Sequence, residues 1–168
     1  GSPDPARCIP TPKTQAREYL DLPRDRFVVL ALGFIGHGKR LEATLTALYD
    51  LVSGGKVTPL ELLFVIAGDL GGGWDTSGAY VDQLREAIRY FKMEDYTEIR
   101  VGFVPFEDFP HWFGAADVVV NCSEWTAYSA SGRCRISASY GCPQIVEAVP
   151  IHQDVIDANA AIGFPFGN

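Results

Sequence analysis

From Phe27 onward the apolar positions alternate between two rhythms. Short continuous runs, FVVLAL at 27–32 and LELLFVIAG at 60–68, are what strands look like when a parallel sheet is buried on both faces. Between them RLEATLTALYDLVSGG spaces Leu41, Leu45, Leu48 and Val52 at helical intervals and ends on Gly54-Gly55, a helix stop. AYVDQLREAIRYFKM at 79–93 sets Val81, Leu84, Ile88 and Phe91 on one helical face. EIRVGFV predicts a third strand, FEDFPHWFGAA a short helix interrupted by Pro110, ADVVVNCS a fourth strand and SGRCRISASYG a helix. PQIVEA predicts a fifth strand and IHQDVIDAN a closing helix.

Strand and helix therefore alternate, and the expected fold is an α/β, Rossmann-like three-layer domain with a parallel sheet. Residues 1–24 carry five prolines and mixed charge and read as an N-terminal arm or linker, with a helical turn at KTQAREYL; the domain proper spans 25–168. Gly1-Ser2, with no initiating Met, reads as an expression scar on a fragment of something longer. Ligands of such sheets gather at the carboxyl ends of the strands. The loops to inspect are GFIGHGK, DLGGGWDTSG, GFVPFED, NCSEWTAYSASG and AVPIHQD.

Composition narrows the choices. With 47% hydrophobic residues, 168 residues can bury one full core. A net charge of −7 and no lysine-rich or arginine-rich run argue against a nucleic-acid surface, so any phosphate-binding cations are few and local. Cys8, Cys122, Cys134 and Cys142 lack zinc-site spacing and suit a reducing, cytoplasmic compartment. No His/Asp/Glu set has metal-ligand spacing, and no apolar run is long enough to span a membrane.

Within LALGFIGHGKR, residues 30–40, Gly33, Gly38 and Lys39 match the first seven positions of a nucleotide-binding P-loop, until Arg40 stands where the magnesium-binding hydroxyl belongs. Asp69 could close a second metal site, but the first requirement fails. The bland alternative is a tight turn with Lys39 solvated.

The later loops tip the balance. GFIGHGKRLEATLTAL, LELLFVIAGD, IRVGFVPFEDFPHWFGAADVVVNCSE and SASGRCRISASYGCPQIVEA together resemble the C-terminal half of a retaining GT-B glycosyltransferase of the group 1, family 4-like type, over about residues 27–160. The resemblance implies a domain that holds a nucleotide-diphosphate sugar as donor substrate, with no other cofactor and no metal. It implies that Gly33, Phe34, Lys39, Ser131 and Gly132 surround the diphosphate, Lys39 supplying charge and the helix opened by SASG supplying free N–H groups. Val104, Glu124 and Ser129 are the corresponding candidates for base or sugar contacts. No residue is assigned a catalytic role.

This chain also departs from that pattern. Phe34 occupies a position where many members have an arginine, and Tyr128 and Ile136 occupy those of two glutamates. Isoleucine cannot accept ribose hydrogen bonds. Arg133 and Arg135 could assist the phosphate or simply face solvent, and His37 could donate to a phosphate oxygen. His111 is expected among Trp112, Phe113 and Phe109, His152 at the surface, Glu124 in a solvated loop, and Asp117 as a turn or helix-end residue rather than an acid catalyst.

The leading expectation is the nucleotide-sugar-binding domain of a hexosyltransferase-type enzyme for a glycan or lipid-linked acceptor, as in polysaccharide biosynthesis. Such a fragment would be inactive without its N-terminal acceptor domain, and the resemblance leaves room for peripheral membrane association of the parent protein. The rival expectation is a non-catalytic Rossmann-like binding or scaffolding module that has lost the donor site, with Trp74 or Trp125 marking a partner surface.

Overall fold

The computed structural model describes residues 8–70, 78–123 and 131–165. Six strands form one all-parallel sheet in the order β3-β2-β1-β4-β5-β6: β1 Phe27–Leu32, β2 Leu62–Gly68, β3 Thr97–Val101, β4 Val118–Asn121, β5 Gln144–Glu147 and β6 Ile162–Phe164. Its helices are α1 Lys13–Tyr19, α2 Leu41–Ser53, α3 Gly78–Tyr90, α4 Phe109–Ala115, α5 Gly132–Ser139 and α6 Gln153–Asp157. The three-layer α/β expectation is met, and strand order reverses between β1 and β4, where such sheets open a crevice.

The unbroken apolar runs of β1 and β2 follow from burial on both faces. Val29, Ala31, Leu62, Phe64 and Ile66 pack against Leu41, Leu45 and Leu48 of α2 and Val81, Leu84 and Ile88 of α3. Their neighbours Val28, Leu30, Leu32, Leu63 and Val65 point the other way, to Ala16 and Leu20 near α1 and Trp112 and Phe113 of α4. A smaller core joins Cys134, Val146 and Val155 of α5, β5 and α6. Because α2 and α3 cover only one half of their face, a groove of about 580 Å³ lies open beside α2, lined by Phe27, Val118, Val120, Ile145 and Phe164 among others.

Three details differ from expectation. Pro110 does not interrupt a helix: it lies in the first turn of α4, where its missing N–H has no intrahelical partner to lose, and a single tighter turn at 106–108 precedes it. Strand β6 carries no sequence signal, since three residues with Gly163 at the centre show neither alternation nor a long apolar run; its pairing with β5 creates it. His111 also departs, stacking on Tyr19 at 3.9 Å between ring centroids.

The lower end of the β1–β4 seam is held by charge. Asp117 accepts from the Val28 amide at 2.7 Å, from Arg17 Nη2 at 2.6 Å and from Lys13 Nζ at 2.5 Å. Arg17, 3% exposed, also donates to the carbonyls of Ala115, Arg24 and Arg26. Residues 13–26 are thereby tied to the sheet. Burial pushes the Asp117 carboxyl up, but hydrogen bonds from Lys13 and Val28 and the Arg17 charge outweigh it and leave its pKa below the usual value.

Asp117→Asn leaves Arg17 buried without its counter-ion and is expected to cost about 3 kcal/mol at pH 7 by chemical denaturation. A carboxyl with a depressed folded pKa stabilises fully above its unfolded value of about 4 and loses that contribution as pH falls through the folded value. Wild-type stability should therefore carry an acid limb that the variant lacks; equal stability at pH 7 would show that the buried pair contributes nothing.

Candidate functional site

At the upper end of the same seam the loop after β1 turns against the loop after β2. Gly33 donates to Ala67 O at 3.0 Å and Ile35 to Asp69 O at 2.8 Å, so the two chains run together past the sheet. Gly68, at φ +148°, stands so close that a Cβ there would lie 1.9 Å from Gly33 O. Gly33 itself, at φ +130°, makes room for another side chain: an added Cβ would lie 2.7 Å from Arg133 Cδ. The glycine thus admits an arginine from α5 across the end of β1.

Arg133 and Lys39 are the two cations of this crevice. Lys39, half-buried at the end of a short turn at 37–39, has its pKa pulled down to about 8, first by desolvation and then by the Arg133 charge. Arg133 donates weakly to Cys122 O at 3.5 Å, and burial lowers its pKa too, although a guanidinium stays protonated. Two like charges are thus held near one another and partly desolvated in a protein of net charge −7.

The N-terminus of α5 faces the same crevice. Ser131 caps it, its Oγ accepting from Cys134 N at 3.4 Å, and the Ser131 amide donates to Ile151 O at 3.0 Å. The Ser131 amide is therefore engaged elsewhere. The first-turn amides of Gly132 and Arg133 remain without a partner among the described residues, the usual state of a helix start ready for an anion.

Behind these groups lies a buried ionic node. Glu147, 1% exposed at the end of β5, accepts from Arg40 Nη1 through Oε1 and from the Ser123 amide through Oε2 at 3.0 Å. Its main-chain carbonyl accepts from His152 Nδ1 at 2.8 Å. His152 is fully buried rather than at the surface; desolvation lowers its pKa, and Nε2 has no partner among the described residues. Arg40 adopts a left-handed backbone, φ 47° and ψ 42°, a conformation costing a non-glycine residue roughly 1 kcal/mol.

Tyr80 completes the support. Reaching from α3, its hydroxyl donates to Glu42 Oε2 at 2.5 Å and accepts from the Leu41 amide at 3.2 Å, while its ring packs against His37 at 4.3 Å. Burial and the Glu42 hydrogen bond raise its pKa, so it stays neutral.

The expected residues are distributed unevenly around this crevice. Gly33, Lys39, Ser131 and Gly132 border it. Phe34 is 62% exposed, and Val104 is partly buried against the α1/α4 core. Ile136 likewise packs into that core instead of facing the crevice. Glu124 and Ser129, with Tyr128, Trp74 and Trp125, lie outside the described residues. Arg135 is exposed and pairs with Asp154 at 2.8 Å. Glu147 and Tyr80 were not singled out from sequence, and Arg40 was noted only as a departure from the P-loop pattern; a carboxylate directly after Ile145-Val146 was the available sign for Glu147. Among the described residues no group of three or more His, Cys, Asp or Glu could hold a metal, and no helix is long and apolar enough to cross a membrane.

No family model matches the chain, and neither does any curated protein. Solved structures do. HepE of Anabaena, in complex with UDP-glucose, superposes with a TM-score of 0.80 at 17% identity, over 99% of this chain and 43% of its own. Sucrose-phosphate synthase of Thermosynechococcus elongatus superposes at 0.77 with 21% identity, over 99% of this chain and 39% of its own. The C-terminal domain of the group 1 glycosyl transferase LpcC of Francisella tularensis superposes at 0.72 with 16% identity, over 98% of this chain and 80% of its own. The chain thus spans about two fifths of the two full-length enzymes. At these identities the likeness establishes the fold: the chain carries the C-terminal half of the GT-B glycosyltransferase fold.

Proposed function

We propose that the chain is the donor-holding half of a hexosyltransferase-type glycosyltransferase, binding a nucleotide-diphosphate sugar whose sugar passes to a glycan or lipid-linked acceptor. The observation that carries this reading is Arg133 lying over Gly33 within electrostatic reach of Lys39, at the point where strand order reverses. Arg133 offers the second cation that Phe34 does not. As the sugar leaves, negative charge grows on the diphosphate, and fixed cations with the first-turn amides of α5 stabilise it most when that charge is largest. Acceptor binding falls to an N-terminal domain across the cleft, and membrane association, if any, belongs to the parent protein.

A second reading has its own observation. Ile136, at a position where the resembling family places a carboxylate, is spent on packing, which is what a module that has shed its ribose contact and now scaffolds a partner would show. Nucleotide titration separates the two.

UDP, GDP and ADP are the probes, each titrated calorimetrically with and without magnesium. One of them is expected to bind without magnesium, and Lys39→Ala or Arg133→Ala to weaken it by about 1.5–3 kcal/mol, the worth of a hydrogen bond to a charged group. No binding at millimolar concentration favours the scaffolding reading.

Protonation gives an independent check. Lys39 loses its charge as pH rises past about 8 in the free domain, so affinity should fall between pH 7 and 9.5 in wild type and stay flat in Lys39→Ala. Binding near pH 8 should take up protons, visible as a dependence of the measured heat on the buffer's ionisation enthalpy.

The same charge is a burden without ligand. Folding depresses the Lys39 pKa from 10.5 to about 8, so the penalty is complete below pH 8 and is relieved as pH rises towards 10.5. Lys39→Met should raise the melting temperature at pH 7 by about 2–4 °C, as roughly 1 kcal/mol does in a domain of this size, while weakening nucleotide binding as Lys39→Ala does. A lower melting temperature would mark Lys39 as a structural residue.

A further inference from the structure

We infer that Arg40 and Glu147 form a positioning pair for the phosphate site, locking the loop that carries Lys39 to the ends of β4 and β5 so that Lys39 stands beside Arg133. The inference rests on the donor-site reading for its purpose, but its geometry can be tested without any nucleotide.

Three observations converge. Arg40 directly follows Lys39 and occupies a left-handed conformation that glycine would adopt freely, so the side chain at this position must be held by something worth the strain. It is held by Glu147, a carboxylate buried to 1% exposure whose second oxygen is taken by the Ser123 amide. One buried group therefore binds the loop after β1, the end of β4 and the end of β5. Thr44, in the second turn of α2, meets Cys122 Sγ at 3.7 Å and repeats the tie between α2 and the end of β4.

Glu147 is 1% exposed and accepts through both oxygens from within the protein, so its carboxylate faces the loop and the strand end rather than solvent. Its charge is spent on orientation. The seam it closes is short, since β1 and β4 pair only through Val29↔Val118 and Leu30↔Val119, well below the level of the loop. The turn at 37–39 also meets α3, where the His37 ring packs on Tyr80 and the Tyr80 hydroxyl accepts from the Leu41 amide.

The test is the doubly substituted Arg40→Gly/Glu147→Gln protein, which removes the pair without leaving a buried charge unmatched and relieves the left-handed arginine. Lys39 is titrated by NMR of 13C-labelled lysine in wild type, in the double variant and in Arg40→Lys, with nucleotide absent. Wild type and Arg40→Lys should titrate near 8, whereas the double variant should move up towards 10.5 as Lys39 swings into water and away from Arg133, with near-ultraviolet circular dichroism unchanged. UDP affinity should fall roughly tenfold or more in the double variant alone. A folded double variant whose Lys39 still titrates near 8 overturns the inference. If Lys39 shifts as expected but wild type binds no nucleotide, the positioning pair stands and the donor reading fails.

Discussion

The structure turns on the seam between β1 and β4. On one side of β1 the ladder is long, pairing with β2 from Phe27↔Leu62 to Leu32↔Ala67, whereas the seam with β4 has two direct pairs. Each end is closed by a carboxylate and an arginine with an amide on the other oxygen or beside it. Asp117 takes Arg17 and the Val28 amide below; Glu147 takes Arg40 and the Ser123 amide above. Hydrophobic burial holds the layers together, while these two nodes fix where the halves meet.

That constraint produces the site. Strand order reverses between β1 and β4, and α5 begins beside the end of β1 with the Gly132 and Arg133 amides without a partner among the described residues. Glycine at position 33 lets Arg133 cross the end of β1, and desolvation there makes every remaining charge count. An acidic protein with few cations thus concentrates two of them at one point. The positive field is local, and the chain carries no lysine-rich or arginine-rich run to extend it.

Much of this was legible in the chain. The runs FVVLAL and LLFVIAG announce doubly buried strands because burial on both faces removes any need for polar alternation, and the 3.6-residue spacing in α2 and α3 names their core faces. The start of α5 at SASG was readable because helix starts have local signatures. Where local signatures ended, so did legibility: β6 exists only by pairing with β5, Pro110 was misjudged by a turn, and His152 was placed outside when its ring is buried under Glu147.

What the sequence by itself determined is the alternation of elements, the parallel sheet, and the loops that must gather at its carboxyl edge, since these follow from periodicity and from residues adjacent along the chain. Tertiary structure alone decided that Arg133 would lie on Gly33, one hundred residues earlier, and that Arg40 would answer Glu147. Charges find partners through space, and burial sets their strength; neither quantity is written in the spacing of residues along a strand or a helix.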